Sequence, residues 1–339
     1  MRLFFLILIL YLAIVSCNSV PKEKAEVPLG FIVSNIDIAL DTTIKSVAQW
    51  RGNLMCLLDN GTIVALDTNY KRLGQLERRV NKRKFQYLFS LGDTLFVANN
   101  QFVFYFDTAS ILQDYDQVQR MYGGKLYEDS NYYVYACCVG EFGGSVFFRN
   151  KKSDKFYSYY ATCASQVLMF QGQYIVCNNL AHLGGSTGFL VVPNPETLFM
   201  LNDEKQRNHC NWYAEVDSLN VDWDKRMKKG TRSYEGPNAT MSLMSFVVGD
   251  SLYSMLTNDS STYIAVHRGD TILERQTILS KNVLFHSTDM VQSGTRQVCL
   301  YQQSGGDPFQ AIRNPGHGSG LIVVYGNRID FLQNTGQRN

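Results

Sequence analysis

Residues 240–279 read TMSLMSFVV-GD-SLYSMLT-NDSS-TYIAVH-RGD-TILERQTIL. Four runs rich in β-branched, aromatic and other apolar residues, Thr240–Val248, Ser251–Thr257, Thr262–His267 and Thr271–Leu279, are each ended by Gly, Asn or Asp in a short polar break. This spacing predicts four strands joined by tight turns, a four-strand antiparallel meander.

The same four-beat pattern extends in both directions. A first unit is expected at Ile44–Trp50, Leu54–Leu58, Thr62–Asp67 and Lys71–Glu77, and a second at Phe85–Leu91, Thr94–Ala98, Phe102–Phe106 and Ile111–Tyr115. A third uses Lys125–Tyr127, Tyr132–Cys138, Ser145–Arg149 and Lys155–Tyr160. A fourth uses Gln166–Phe170, Tyr174–Cys177, Gly188–Val192 and Thr197–Leu201. The last uses Val283–Met290, Arg296–Tyr301, Gly320–Tyr325 and Arg328–Leu332. The first-turn positions Gly52, Gly92, Ser130, Gly172, Gly249 and Gly294 recur about every 40 residues, with one gap about twice as long, which is the period of a β-propeller whose blades bury their faces only against their neighbours. The expected fold is all-β, a six-bladed β-propeller of four-stranded antiparallel meanders. The long gap reads as an insertion at about residues 203–238, polar and charged and without a repeated strand pattern; a degenerate seventh blade is the alternative. Phe31–Leu40 reads as an extra edge strand that closes the ring.

Composition agrees. Of 339 residues 45% are hydrophobic and 18% charged, with 20 Tyr and 20 Phe, which excludes a disordered chain. Lysine plus arginine at 32 against aspartate plus glutamate at 30 leaves +2, without the basic field of a nucleic-acid binder.

The N-terminus carries an address. Met1-Arg2 precedes an apolar run, Leu3 to Val15, which is shorter than the roughly 20 residues that span a bilayer and so reads as a signal peptide. Ile14-Val15-Ser16-Cys17 is similar to the lipobox of bacterial lipoproteins, in which Cys17 would be acylated and become the new N-terminus. Residues 1–16 are then a signal peptide, 17–30 a polar lipid-anchored tether, and 31–339 the propeller. Asn18, not Asp, after the cysteine favours the outer membrane, with the periplasmic or surface side left open.

With this lipobox and with anchors such as Leu91-Gly92-Asp93-Thr94-Leu95-Phe96 and Val248-Gly249-Asp250-Ser251-Leu252-Tyr253, the chain resembles the six-bladed, TolB-like propeller lipoproteins of Bacteroidetes. The resemblance implies a binding or scaffolding role in the cell envelope and carries no catalytic residues over.

Candidate ligand-binding residues come from the loops, where a rigid scaffold usually carries function. In a propeller the second-to-third and blade-to-blade connections emerge on one face, and the long segments Val139–Gly144, Asn178–Thr187, Gln302–Ser319 and the insertion are expected there. That face would gather His182, His209, His286 and His317, a set in which imidazole could hold a metal, although no two share a close pair spacing. Trp212, Tyr213, Trp223 and Tyr234 could form an aromatic platform for a glycan or pin the insertion to the propeller. Lys71, Arg72, Arg78, Arg79, Lys82, Arg83 and Lys84 make the densest basic stretch, a surface for an acidic glycan or lipid headgroup or a solvated strand and loop.

Seven cysteines remain beside Cys17, an odd number, so a complete disulfide framework is not expected; most fall in strand runs as small buried apolar groups, and Cys163 with Cys177 is the pair considered. Several Asp-Ser/Thr-apolar triplets resemble Bacteroidetes O-glycosylation signals and are also ordinary turn chemistry.

The leading reading is a non-catalytic, lipid-anchored envelope module whose long-loop face binds an envelope protein, glycan or small ligand. It contacts the membrane through Cys17 and requires no cofactor and no nucleic acid. The competing reading is a metal-dependent hydrolase or lyase at the channel mouth, which would gather at least three of His182, His209, His286, His317, Glu141, Asp203 and Asp307.

Overall fold

A computed structural model describes residues 30–91, 94–99, 103–106, 112–115, 125–140, 143–180, 185–201, 231–280, 290–293, 296–302 and 319–334. Residues 31–339 form one compact unit. Six antiparallel sheets follow one another round a ring, so the protein is a six-bladed β-propeller. Blade one contains Ile44–Trp50, Asn53–Leu58 and Ile63–Leu66. Blade two contains Tyr87–Leu91, Thr94–Ala98, Val103–Phe106 and Leu112–Tyr115. Blade three runs Lys125–Glu128, Tyr132–Cys138, Gly144–Asn150 and Phe156–Tyr160, with Phe199–Leu201 outermost. Blade four runs Ala164–Phe170, Gln173–Leu180, Ser186–Val192 and Arg232–Glu235. Blade five is Met241–Val248, Ser251–Thr257, Thr262–Arg268 and Thr271–Leu279. Blade six is Met290–Ser293, Arg296–Gln302, Ser319–Tyr325 and Arg328–Asn334, with Ile32–Ile38 outermost.

The strands form where turn chemistry permits. Arg51-Gly52 (φ 51° and 77°) and Gln171-Gly172 (φ 48° and 74°) hold two successive residues in the left-handed region, the geometry that matches the twist of a two-residue hairpin. These first-to-second turns and the third-to-fourth turns lie at one end of the blades, the short-turn face; the other connections lie at the opposite end. The core is a series of wedges between blades. Trp50, Leu88, Phe104 and Phe106 pack between blades one and two, Phe148, Tyr174 and Leu190 between three and four, and Phe246, Ile264, Tyr301 and Phe331 between five and six. Each fully buried large side chain contributes about 1.5–3 kcal/mol.

The N-terminal strand is an edge strand, as expected. It pairs parallel with the last strand of blade six in a register running from Ile32–Arg328 to Ile38–Asn334. The chain then crosses to the inner strand of blade one, and the crossing is tied down: Leu40 N donates to Asn334 Oδ1 (3.1 Å), Asn334 Nδ2 donates to Thr42 O (3.0 Å) and Ile44 N donates to Ser319 Oγ (3.0 Å).

Three expectations are corrected. Lys71–Glu77 is not the fourth strand of blade one; a short helix, Gly74–Val80, stands there. Its Gln, Leu, Glu and Arg residues favour helix, and Leu73, Leu76 and Val80 recur at helical spacing and pack into the wedge between blades one and two. The helix satisfies the strand edge it replaces. Ile63 N donates to Asn81 Oδ1 and Asn81 Nδ2 donates to Ile63 O, both at 2.7 Å, while Leu73 N donates to Ala65 O (2.8 Å) and Ala65 N to Glu77 Oε1 (3.2 Å).

The expected strand Thr197–Leu201 does not complete blade four. After Val192 the chain makes a proline-led turn, Pro195–Thr197, in which Asn194 accepts from Glu196 N (3.0 Å), and Phe199–Leu201 then pairs with Phe156–Ser158 of blade three. Blade four is completed by Arg232–Glu235, a strand inside the stretch read as a strandless insertion. The third correction concerns cysteine: Cys163 bonds Cys138, not Cys177. Cys138 ends the second strand of blade three and Cys163 opens blade four on the same face, whereas Cys177 is buried between blades four and five.

Asn81→Ala would strip both partners from a part-buried backbone edge. Chemical denaturation is expected to show a loss of about 1–3 kcal/mol; unchanged stability would mean that the helix does not secure blade one.

Candidate functional site

Cys17, His182, His209, Trp212, Trp223, His286 and His317 lie outside the described residues, as do Glu141, Asp203 and Asp307. The ends of their connections are nevertheless placed by the strand registers. Segments 181–184 and 303–318 join second to third strands and leave from the face opposite the short turns. The insertion does not. Leu201 pairs with Phe156, next to the third-to-fourth turn of blade three, and Arg232 pairs with Val191, at the short-turn end of blade four. Both ends of segment 202–230 therefore sit on the short-turn face. The expectation that all four long connections converge on one face is corrected: the chain crosses blade three's edge before the insertion begins, which reverses its direction.

On that same short-turn face an open groove of about 460 Å³ lies between blades three and four, within the size range of ligand pockets. Its floor is a clamp between the two blades. Asp129 Oδ1 accepts from Asn131 N (2.7 Å) and Tyr132 N (2.8 Å), which shapes the first turn of blade three, and Asp129 Oδ2 accepts from the Tyr174 hydroxyl of blade four (2.6 Å). Burial and the Asp129 carboxylate together push the Tyr174 hydroxyl well above the usual phenol range, so it remains a donor. Tyr174 meets Tyr132 and Phe148 edge-on, with ring centroids 5.9 and 5.3 Å apart, a geometry aromatic pairs favour. The opposite wall is Asn194-Pro195-Glu196 with Asn150, and among the described residues no lysine or arginine lines the groove. Exposed Asn131, Asn194 and Glu196 give it polar acceptors above a rigid tyrosine floor.

A second cluster lies deeper, between blades four and five. Tyr234 Oη is 2.8 Å from His267 Nδ1, His267 Nε2 is 2.7 Å from Ser254 Oγ, Ser254 Oγ is 2.6 Å from Ser245 Oγ, and the Cys177 thiol donates to Ser245 Oγ at 3.3 Å. Phe189 stacks on Tyr234 and meets His267 edge-on. Tyr234 is thus a core residue holding the outer strand of blade four, not part of an exposed aromatic platform. The serine and histidine side by side suggest nucleophilic chemistry, but Ser254 is completely buried, so no substrate reaches it. Burial also pushes the thiols of Cys56 and Cys177 up to about 12, keeping them protonated and unreactive. Among the described residues no group of three His, Cys, Asp or Glu side chains is arranged to hold a metal ion.

The groove clamp and this network escaped sequence reasoning because their members come from different blades. The one available signal was polarity inside apolar strands, at Ser245, Ser254 and His267.

His267 predicts a pH dependence. Burial pushes it down from 6.5 to about 4, so the folded state resists the proton that the unfolded chain accepts. Its contribution is complete above pH 6.5 and falls as pH drops from 6.5 towards 4, by about 3 kcal/mol in all. Unfolding free energies at pH 7.5 and pH 4.5 should therefore converge in His267→Gln relative to the unaltered protein; equal differences in both would refute the assignment.

No protein-family model matches the chain, and no curated protein matches it. Similar solved structures include PorZ, described as a surface component of the type-IX secretion system of Porphyromonas gingivalis (8% identity, TM-score 0.32, 89% of this chain and 35% of that one). BamB from Moraxella catarrhalis gives 9% identity and a TM-score of 0.31 over 84% and 71% of the two chains. The β-propeller domain of the Trilobed protease from Pyrococcus furiosus gives 10% and 0.38 over 88% and 100%. This chain spans about a third of PorZ. At such scores these likenesses carry no argument about function, and the fold assignment rests on the sheet topology.

Proposed function

We propose that the protein is a non-catalytic binding module held at a bacterial cell envelope by acylated Cys17, and that its partner, an envelope protein or glycan, engages the short-turn face between blades three and four. The observation that carries this reading is the coincidence of two features on one sector: the groove over the Asp129–Tyr174 clamp, and both ends of the 202–230 segment at Leu201 and Arg232. Long connections on a folded scaffold concentrate where it meets a ligand. The blades beneath are tied together, because the clamp joins blades three and four, and a solvent-exposed Arg232–Asp270 ion pair (3.0 Å) adds a contact between the outer strand of blade four and blade five. The anchor is supported by the lipobox-like Ile14-Val15-Ser16-Cys17 after a short apolar run.

The test is a pull-down and glycan array with three proteins: the intact chain, one with residues 203–230 replaced by a short Gly/Ser linker that leaves Arg232–Glu235 in place, and Asn131→Ala/Glu196→Ala. The Asn131→Ala/Glu196→Ala protein should unfold at the same temperature as the intact chain, the linker variant should remain folded, and both variants should lose the interaction; a variant pair that keeps every interaction overturns the site. Separately, Cys17→Ala should release the protein from membranes and abolish labelling by a fatty-acid analogue, and persistent labelling overturns the anchor.

A further inference from the structure

We infer that the outward face of the Gly74–Val80 helix and the turn after it form a docking stripe for an acidic polysaccharide, separate from the groove between blades three and four. Between Lys71 and Lys84 the chain carries seven cationic side chains and one acid, whereas the rest of this nearly neutral protein carries more acidic than basic residues. That single acid is already committed: Glu77 is buried, accepts from Ala65 N, and is gripped by Arg72 Nε (3.1 Å) and Nη2 (2.8 Å).

The helix sorts its residues by face. Leu76, Glu77 and Val80 turn inward, as does Leu73 just before the helix, and Gln75, Arg78 and Arg79 turn outward at the complementary helical spacing. Lys82, Arg83 and Lys84 continue the stripe, and all three are exposed. Arg78, Arg79, Lys82 and Lys84 have no ion-pair partner among the described residues, while Arg83 lies over the Phe104 ring of blade two, 4.7 Å from its centroid. Like charges three and four residues apart destabilise a helix. This helix holds its unpaired cations in place because Asn81, Glu77 and Leu73 bond its inner side to the strand edge. The blade has thus exchanged its outer strand for a rigid element that presents a row of hydrogen-bonding cations.

The chemistry of the row selects its partner. The helix and the turn after it run about 15 Å, a line of guanidinium and ammonium groups suited to carboxylates or sulfates repeated along a chain. No large apolar side chain is exposed between residues 71 and 84, so the stripe lacks the inserted apolar face of a membrane-docking helix. Nor does it present aromatic platforms on which nucleic-acid bases would stack. A polysaccharide, whose recognition needs charge and hydrogen bonds without apolar pockets, fits what is present.

The experiment measures binding of the full chain to immobilised polygalacturonate and dextran sulfate, with neutral dextran, phosphatidylglycerol vesicles and single-stranded DNA alongside. Arg78→Gln/Arg79→Gln/Lys82→Gln leaves the inward contacts untouched; Lys152→Gln/Lys155→Gln removes exposed cations from blade three as a control. The unaltered protein is expected to bind the acidic polysaccharides, more weakly as salt rises, and to ignore neutral dextran. The triple variant should lose at least tenfold in affinity with its unfolding transition unchanged, and the control should change less than twofold. Equal losses in both variants, retained affinity in the triple variant, or tighter binding to vesicles or DNA than to either polysaccharide would each overturn the assignment.

Discussion

A blade whose two faces are both apolar has no stable surface of its own, and every sheet in this protein depends on a neighbour on each side. The wedges of aromatic and aliphatic side chains between blades supply most of the contact, and the ring survives only if its two ends meet. Here they meet through strand pairing and side-chain hydrogen bonds. Ile32–Ile38 is the outermost strand of blade six, the chain then crosses to the centre of blade one, and Arg328–Asn334 lies beside Ile32–Ile38, with Asn334 bonding both Leu40 and Thr42. Phe31 closes the neighbouring joint as well. Its backbone exchanges two hydrogen bonds with Gln276 of blade five, and its ring packs edge-on against Phe246 and Tyr253.

The same logic governs polar groups at the blade joints. Gln166 bonds both the N–H and the carbonyl of Ser245, and Asn179 does the same for Ser242, so each amide satisfies backbone that the wedge would otherwise leave without partners. Asp129 with Tyr174 and Tyr70 with Asp330 are further ties across joints, the latter at 2.7 Å. These bonds make the ring a stiff carrier, and the basic helix is anchored to it through the wedge between blades one and two.

Much of this was legible in the sequence, for reasons that are local. Turns such as Gln171-Gly172, Gly249-Asp250 and Gly269-Asp270 punctuate the strands, and the edge strand at Phe31–Leu40 reads as an extra strand-like run before the first blade. What failed was non-local. A strand's partner is chosen by the edge it reaches, so Phe199–Leu201 could not be assigned to blade three, nor Arg232–Glu235 to blade four, from their residues alone. In blade one the expectation of a fourth strand overrode the helical spacing of Leu73, Leu76 and Val80, which was present to be read. The groove is built from turns that the chain separates widely, and only the ring brings Asp129 to Tyr174.

The central claim is that the first strand closes the ring. Hydrogen exchange on a variant lacking residues 31–40 tests it most directly. If the claim holds, protection is lost in Arg328–Asn334, which forfeits its partner, and also in Ile44–Trp50 and Ser319–Tyr325 on either side of the joint, with a broader unfolding transition. Loss confined to Arg328–Asn334, with the inner strand of blade one still protected and the transition unchanged, would contradict it.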